Sequence, residues 1–293
     1  MAYAIYKYWE DFRALTEIRA TLAVSLLGFG FIWNATGALI LRAALKPFHV
    51  HLGILECICV TFAACLSNLF IPWSGLGVRG VYLNRVHKLN LNIFAIAVAG
   101  PVVIELFVYA MGGLVALLAI TDSTHIANLL KLFFLAVIAT TLASAFISPK
   151  TLPRWIPLRN RVLSVVNDWR VLYSNRKIFA EILLLTLINF GAAVALYKAA
   201  GQAIAALDSG LAAVVVAALS EFSYLIRVTP GGIGTFEGSV ALAGQVVGFT
   251  LAQSLVVATL VRLASVFWYL LLGPLYWRQI IRARDSATRA DLA

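Results

Sequence analysis

Apolar runs about as long as a membrane is thick dominate this chain and limit how it can fold. A helix needs about 20 apolar residues to cross the hydrocarbon core of a bilayer. The runs predicted to be full spans cover residues 20–41, 51–71, 91–120, 126–147, 178–200 and 251–277. Hydrocarbon offers the backbone no hydrogen-bond partner, so continuous apolar runs of this length must be helical. The sequence therefore predicts an all-α polytopic membrane protein with about six full spans and some half-helices.

The composition agrees with a membrane protein. Of the 293 residues, 62% are hydrophobic and 12% are charged, whereas a typical soluble domain has about 25% charged residues. The formal net charge is +10, and most basic residues lie between the apolar runs. In that position they orient the spans and attract anionic lipid headgroups. We therefore expect lipid as a partner and no nucleic acid.

Two basic segments, one between the membrane halves and one at the end of the chain, predict the orientation of the spans in the membrane. The connector 148–177 contains seven Lys or Arg residues and one Asp, and the tail 278–293 contains four Arg. Basic loops stay on the cytoplasmic side, so both segments are predicted to be cytoplasmic. The amphipathic segment 1–19 is predicted to lie on the same surface, which makes both termini cytoplasmic in a multi-pass protein of the inner (plasma) membrane. The membrane halves are then residues 20–147 and 178–277.

A segment rich in Gly and Pro interrupts each membrane half. The first break, 72–80, reads Pro-Trp-Ser-Gly-Leu-Gly-Val-Arg-Gly, and the second, 230–238, reads Pro-Gly-Gly-Ile-Gly-Thr-Phe-Glu-Gly. A broken helix frees backbone groups that cannot face lipid, so they must face protein or a wet cavity. Corresponding breaks predict two pseudo-repeated halves with broken or re-entrant helices and a transport site between them. The alternative is a pair of ordinary interfacial turns.

Charged residues inside the apolar runs are the second indication of a site. Burial of an ionisable side chain at mid-membrane costs at least about 2.5–3.5 kcal/mol on insertion scales, so it requires a partner or a function. Arg262 lies about three turns into the last span, and Glu237 is its predicted partner. Glu105 and Glu221 are further candidates. Either the Arg262 pair only fixes helix packing, or it opens so that Arg262 or Arg79 binds a lipid phosphate.

Other polar side chains in the spans are predicted to serve packing. Amide and hydroxyl side chains hydrogen-bond across membrane helices, and Asn34 and Asn189 are assigned this role. Asn68 is assigned to the site, because it lies just before the first break. The three cysteines share one apolar run and are predicted to be buried thiols.

The sequence contains none of the motifs that would indicate a reaction. A P-loop, a nucleophile elbow, a His-Glu-x-x-His helix and an acid/base carboxylate pair are all missing. We therefore expect no enzyme activity, no cofactor and no metal.

The second break resembles a family signature. Residues 229–237, Thr-Pro-Gly-Gly-Ile-Gly-Thr-Phe-Glu, are similar to a motif of the lysylphosphatidylglycerol synthase transmembrane region, a flippase-like membrane domain. Arg262 lies where that family has an arginine in its last long helix, and Glu105 lies where it has a glutamate. Residues 68–72 and 79–83 resemble the family's first motif. The resemblance extends from about residue 40 to residue 280.

The first half departs from the family pattern at two positions. The family often has Gly-Glu in its first motif, whereas Leu76 follows Gly75 here. The family usually has an arginine directly after the glutamate of the third span, whereas Leu106 follows Glu105.

The resemblance implies lipid movement or lipid binding, because the family's aminoacyl-transferase activity belongs to a separate soluble domain. The implied function is flippase-like transport of an anionic phospholipid or a polyprenyl-phosphate-type lipid. The alternative is an accessory protein or enzyme of lipid-linked glycan or lipid-modification pathways. A homo-oligomer is left open.

The residues predicted to bind or transport lipid lie at the breaks or carry charge inside the spans. They are Asn68, Pro72, Gly75, Gly77, Arg79, Glu105, Glu221, Pro230, Gly231, Gly232, Gly234, Glu237 and Arg262.

Overall fold

Helices make up the regular secondary structure in the computed structural model, which describes residues 20–120, 124–146, 175–204, 209–226 and 228–290. No strand occurs in these ranges. The predicted N-terminal segment 1–19 and most of the connector lie outside them. In chain order the helices are α1 (Ala20–Leu45), α2 (Ile54–Phe70), α3 (Ser74–His87), α4 (Leu91–Ala119), α5 (His125–Phe146), α6 (Arg176–Ala203), α7 (Gly210–Phe222), α8 (Thr235–Val246) and α9 (Leu251–Ala290).

Five helices in the described ranges are long and apolar enough to cross a membrane: α1, α4, α5, α6 and the first part of α9. The span predicted at 51–71 is instead the 17-residue helix α2, so the described chain has five candidate spans rather than about six. Extended backbone at Gly53 and Ile71 shortens this helix at its two ends. Ile71 precedes Pro72, whose ring disfavours helical geometry in the residue before it.

Helix lengths follow the same order on both sides of α5. Helices α1 to α4 have 26, 17, 14 and 29 residues, and α6 to α9 have 28, 13, 12 and 40. Each order is therefore long, short, short, long. Helices α1 and α6 pack on each other, α2 packs on α9, and α4 packs on α7. Helix α5 packs on α4, and nothing equivalent to α5 occurs within 176–290.

The first break closes a tight hairpin between α2 and α3. Trp73 turns the chain with a φ of 62°, and the Asn68 Oδ1 atom accepts the Gly75 N–H at 2.7 Å. A Cβ atom on Gly75 would lie 2.5 Å from the carbonyl oxygen of Ala64. Only glycine allows α3 to approach α2 this closely.

The open end of the same hairpin is joined by side chains. The Glu56 Oε1 atom accepts the Tyr82 hydroxyl at 2.6 Å and lies 2.7 Å from His87 Nε2. Glu56 is in the first turn of α2, whereas Tyr82 and His87 are near the end of α3. Helices α2 and α3 are thus antiparallel, with residues 71–73 at the tip.

The second break is built on glycines with positive φ. Gly231, Gly232 and Gly234 have φ values of 63°, 66° and 93°, a region where side chains with a Cβ atom are strained. The Gly234 N–H donates to Glu237 Oε2 at 2.7 Å, which satisfies a free amide at the start of α8. The break therefore ends in a well-defined helix N-terminus.

Polar bonds join the long helices in the bundle core. Asn189 of α6 is 6% exposed. It accepts the Tyr109 hydroxyl from α4 at 2.7 Å and donates to Thr36 Oγ1 of α1 at 2.9 Å. These are the interhelix bonds predicted for Asn189, and they fix three helices around one position.

An ion pair joins the end of α1 to the start of α6. Lys46 Nζ lies 2.5 Å from Glu181 Oε1. Helix α6 follows the basic connector along the chain. The end of α1 and the start of α6 are therefore on one face of the bundle, which we name the connector face.

Candidate functional site

The second break packs against the end of α2, directly before the first break. Helix α2 packs on the turn Pro230–Gly232, and a Cβ atom on Gly231 would lie 3.6 Å from Leu69 Cδ2 at the end of α2. Two cavities lie beside this contact and share lining residues. The shared residues are Cys65, Asn68, Tyr224 and Tyr269. The two breaks and the two cavities thus form one continuous region.

The first cavity is the larger, with a volume of about 300 Å³. Side chains from α1, α2, α3, α4, α6, α7 and α9 contribute to its wall. Its charged residues are Arg79, Glu105 and Glu221. Trp33, Trp73, Tyr224 and Tyr269 supply aromatic surface. A cavity lined by apolar and aromatic groups with a few charges is typical of a binding site.

Arg79 and Glu105 share this cavity without forming an ion pair. Among the described residues, ion pairs join Lys46 to Glu181, His87 to Glu56 and Arg262 to Glu237, and none joins Arg79 to Glu105. The Arg79 Nε atom is buried and has no hydrogen-bond partner there. The two charges still act on each other electrostatically. The cavity therefore contains an arginine with a buried N–H group that lacks a partner among the described residues.

The second cavity is smaller, about 60 Å³. Ser223, Gly232, Phe236, Arg262 and Ser265 are among its lining residues. It lies next to the second break, as the first cavity lies next to the first break.

Arg262 is fixed on several sides in the second cavity. Its Nη2 atom lies 2.9 Å from Glu237 Oε1 and 3.5 Å from the Gly232 carbonyl oxygen. Its guanidinium carbon lies 5.2 Å from the centre of the Phe236 ring. Glu237 is 7% exposed and, as predicted, is the partner of Arg262. Arg262 is thus bonded, in contrast to Arg79.

The short helices α3 and α8 begin beside the cavities, since Gly75 lines the first and Phe236 lines the second. Helix α3 begins at Ser74, inside the predicted break 72–80, and α8 begins at Thr235, inside the predicted break 230–238, so both breaks are shorter than predicted. The first amides of a helix carry partial positive charge and attract anions. The start of α3 therefore adds to the positive field of Arg79, whereas Glu237 already offsets the partial charge at the start of α8.

The structure groups most of the predicted site residues, but not all of them. Those lining the first cavity are Asn68, Gly75, Arg79, Glu105 and Glu221. Those lining the second are Asn68, Gly231, Gly232 and Arg262. The remaining ones line neither: Pro72, Gly77, Pro230, Gly234 and Glu237. Pro72, Pro230 and Gly234 shape the turns, and Glu237 acts through Arg262.

Several lining residues were not predicted. Tyr224, Tyr269 and Cys65 line both cavities. Asn34 was assigned to packing, and it does accept the Tyr269 hydroxyl at 2.6 Å, but it also lines the first cavity. Aromatic and apolar residues within a span carry no sequence signal that separates a cavity wall from a lipid-facing surface.

Comparison with known proteins agrees with this architecture. A family model of the lysylphosphatidylglycerol synthase TM region matches residues 2–273. The comparison with curated proteins gives no match. The family match and the five apolar helices identify a multi-pass membrane protein of lipid-related processes. The chain therefore belongs to the lysylphosphatidylglycerol synthase transmembrane region family.

Proposed function

We propose that the protein is a flippase-like transporter that binds a phosphate-bearing lipid and moves it between leaflets through the two adjoining cavities. The anionic phospholipids and polyprenyl-phosphate-type lipids expected from the sequence belong to this class. No chemical step is proposed, so the protein acts as a carrier rather than an enzyme. The proposed location is the inner (plasma) membrane.

The unpaired Arg79 is the observation that carries this proposal. Leaving the Arg79 Nε atom buried without a hydrogen bond is unfavourable, and a phosphate oxygen would satisfy it with a charge-assisted bond. The N-terminus of α3, whose first turn lines the same cavity, favours the same negative charge. A protein that only organised other membrane proteins would gain nothing from an unsatisfied arginine in a cavity.

The packing pattern supports an inverted arrangement of the two halves. The hairpin of α2 and α3 opens next to α1, whose end is on the connector face. Helix α6 starts on that face and crosses away from it, so the pair α7 and α8 enters from the opposite face. We infer that both pairs are re-entrant and that their tips meet at mid-membrane. Each cavity then faces a different leaflet, as alternating access requires.

This arrangement makes a testable prediction about topology. In a variant whose native cysteines are replaced by alanine, a membrane-impermeant maleimide is expected to label Ser209→Cys from outside intact cells. His51→Cys is expected to react only after permeabilisation, because it is on the connector face, which the positive-inside rule makes cytoplasmic. Both positions are exposed. Labelling of both from the same side would contradict the inverted arrangement.

The inverted arrangement also predicts on which membrane face each end of the described chain lies. If all five candidate spans cross the membrane, Ala20 lies on the face opposite the connector, and α9 returns to the connector face. A cytoplasmic tail is consistent with this proposal. The sequence-based prediction of a cytoplasmic N-terminus disagrees with this proposal and stays untested, because residues 1–19 lie outside the described ranges.

Lipid movement is tested by reconstitution into vesicles. With a lipid fluorescent on its acyl chain and an impermeant quencher, vesicles containing the protein are expected to lose more signal than protein-free vesicles. Arg79→Gln is expected to slow the movement by about tenfold or more, because a hydrogen bond to a charged group contributes about 1.5–3 kcal/mol. Arg85→Gln is the matched control, since Arg85 is exposed on the same helix.

The outcomes separate clearly. If wild-type vesicles lose no more signal than protein-free vesicles for any phosphate-bearing lipid, the proposed function is wrong. If Arg79→Gln and Arg85→Gln slow the movement equally, Arg79 does not bind the lipid.

A further inference from the structure

We propose that the first cavity selects a zwitterionic phospholipid headgroup, with its phosphate on Arg79 and its ammonium group on Glu105. This inference rests on the proposed transport function and narrows its substrate. The preferred lipid is then one with a phosphate and a primary ammonium a few bonds apart, and not a purely anionic one.

The balance of charge in the cavity is the first argument. Arg79 and Glu105 both line it, so a guanidinium and a carboxylate share one cavity. A lone anion bound at Arg79 would be repelled by Glu105 across a poorly screened, partly buried space. A headgroup that also carries a positive charge replaces this repulsion by attraction.

The separation of Arg79 and Glu105 is the second argument. Opposite charges in one low-dielectric cavity attract strongly, yet these two are held apart, whereas Arg262 and Glu237 are in contact at 2.9 Å. Neither Arg79 nor Glu105 makes an ion pair with another described residue. A phosphate and an ammonium of one headgroup, placed between them, would satisfy both ends at once.

The size and the walls of the cavity agree with such a headgroup. Ligand cavities are typically about 300–1,000 Å³, and this one, at about 300 Å³, is at the small end of that range. It therefore suits a compact headgroup while the acyl chains remain outside. Trp33, which is 7% exposed, and Trp73 contribute aromatic surface to the cavity wall. Such surface accommodates a cation without repelling apolar groups.

The test compares lipids that share the phosphate and the acyl chains and differ in whether the headgroup carries an ammonium group. Vesicles carrying the wild-type protein receive acyl-labelled phosphatidylethanolamine, its N-acetylated form, or phosphatidylglycerol, and the initial rates of movement are measured. The ethanolamine lipid is expected to move about tenfold faster than the two lipids without an ammonium group, because one charge-assisted bond is at stake.

Variants of Glu105 test whether this residue causes the preference for the ethanolamine headgroup. Glu105→Gln is expected to slow the ethanolamine lipid by about tenfold and to leave phosphatidylglycerol equal or faster, so that the preference disappears. Glu105→Asp is expected to retain part of the preference. Glu181→Gln is the control, since Glu181 pairs with Lys46 away from the cavity. A merely structural role of Glu105 would change all rates by the same factor.

Three results would overturn the assignment. They are a wild-type rate for phosphatidylglycerol equal to or above that for the ethanolamine lipid, an unchanged preference in Glu105→Gln, and an equal slowing of all lipids in that variant. If no lipid moves at all, the transport proposal itself fails. Native mass spectrometry of the detergent-solubilised protein with equimolar lipids then still decides the headgroup preference, by which lipid stays bound in wild type and in Glu105→Gln.

Discussion

Arg262→Leu is expected to destabilise the protein by about 3–5 kcal/mol, the cost of leaving a buried charge without its partner. Glu237 is 7% exposed, and its Oε1 atom has Arg262 as its ionic partner at 2.9 Å. The leucine cannot bond that oxygen, and the protein surroundings admit little water to replace the guanidinium. The measurement is the midpoint of thermal unfolding in detergent, where a large decrease is expected.

A double variant separates stability from transport. Arg262→Leu combined with Glu237→Gln removes both charges, while the amide oxygen can still accept the Gly234 N–H. We expect this protein to recover most of the lost stability, because replacing a whole buried ion pair is often close to neutral. Lipid movement is expected to stay low. A stable double variant with wild-type transport would mean that the pair only fixes packing, and an unchanged midpoint in Arg262→Leu would contradict the stability argument.

Gly75→Ala is expected to open the first hairpin and abolish lipid movement. The added Cβ atom would lie 2.5 Å from the Ala64 carbonyl oxygen and 2.6 Å from Asn68 Nδ2. The first contact is with backbone, so α3 must move away from α2 and the Asn68 bond to the Gly75 amide is strained. Overpacking of this kind costs about 1–3 kcal/mol and sometimes more. Thermal unfolding and the vesicle assay measure the two effects.

Gly77→Ala is the matched control for that experiment. Gly77 is in the same helix, two residues further on, and no atom lies within 4 Å of a Cβ atom placed there. Alanine is expected to be neutral or to stabilise the helix by up to about 1 kcal/mol, because glycine is a poor helix former. Equal unfolding midpoints for the two variants would show that the close approach at Gly75 does not hold the hairpin together.

The spans and the breaks could be predicted because each follows from a local rule. Long apolar runs must be helical in a membrane. Pro72 lies just after the end of α2, and Pro230 lies between α7 and α8. The span predicted at 51–71 was too long, because average hydropathy is insensitive to one residue with extended backbone at each end. Gly53 and Ile71 remove the outer residues, and 17 helical residues remain.

The site was predictable only where a charge required a partner. Arg262 needed a carboxylate, and Glu237 was the carboxylate within the nearest break. No rule of this kind predicts that Arg79 and Glu105 stay apart, since that separation depends on how α3 and α4 pack. The same holds for Tyr224 and Tyr269, which reach the cavities because α2 packs on α9 and α4 packs on α7.

Helix α5 bears on how such a protein could originate. On the proposed arrangement, a set of long, short, short and long helices crosses the membrane twice, so two copies joined end to end would insert the same way up. One further crossing between them turns the second copy over. A tandem gene duplication with the gain of a single helix would therefore give two mouths that open to opposite leaflets, without any change in how either copy folds.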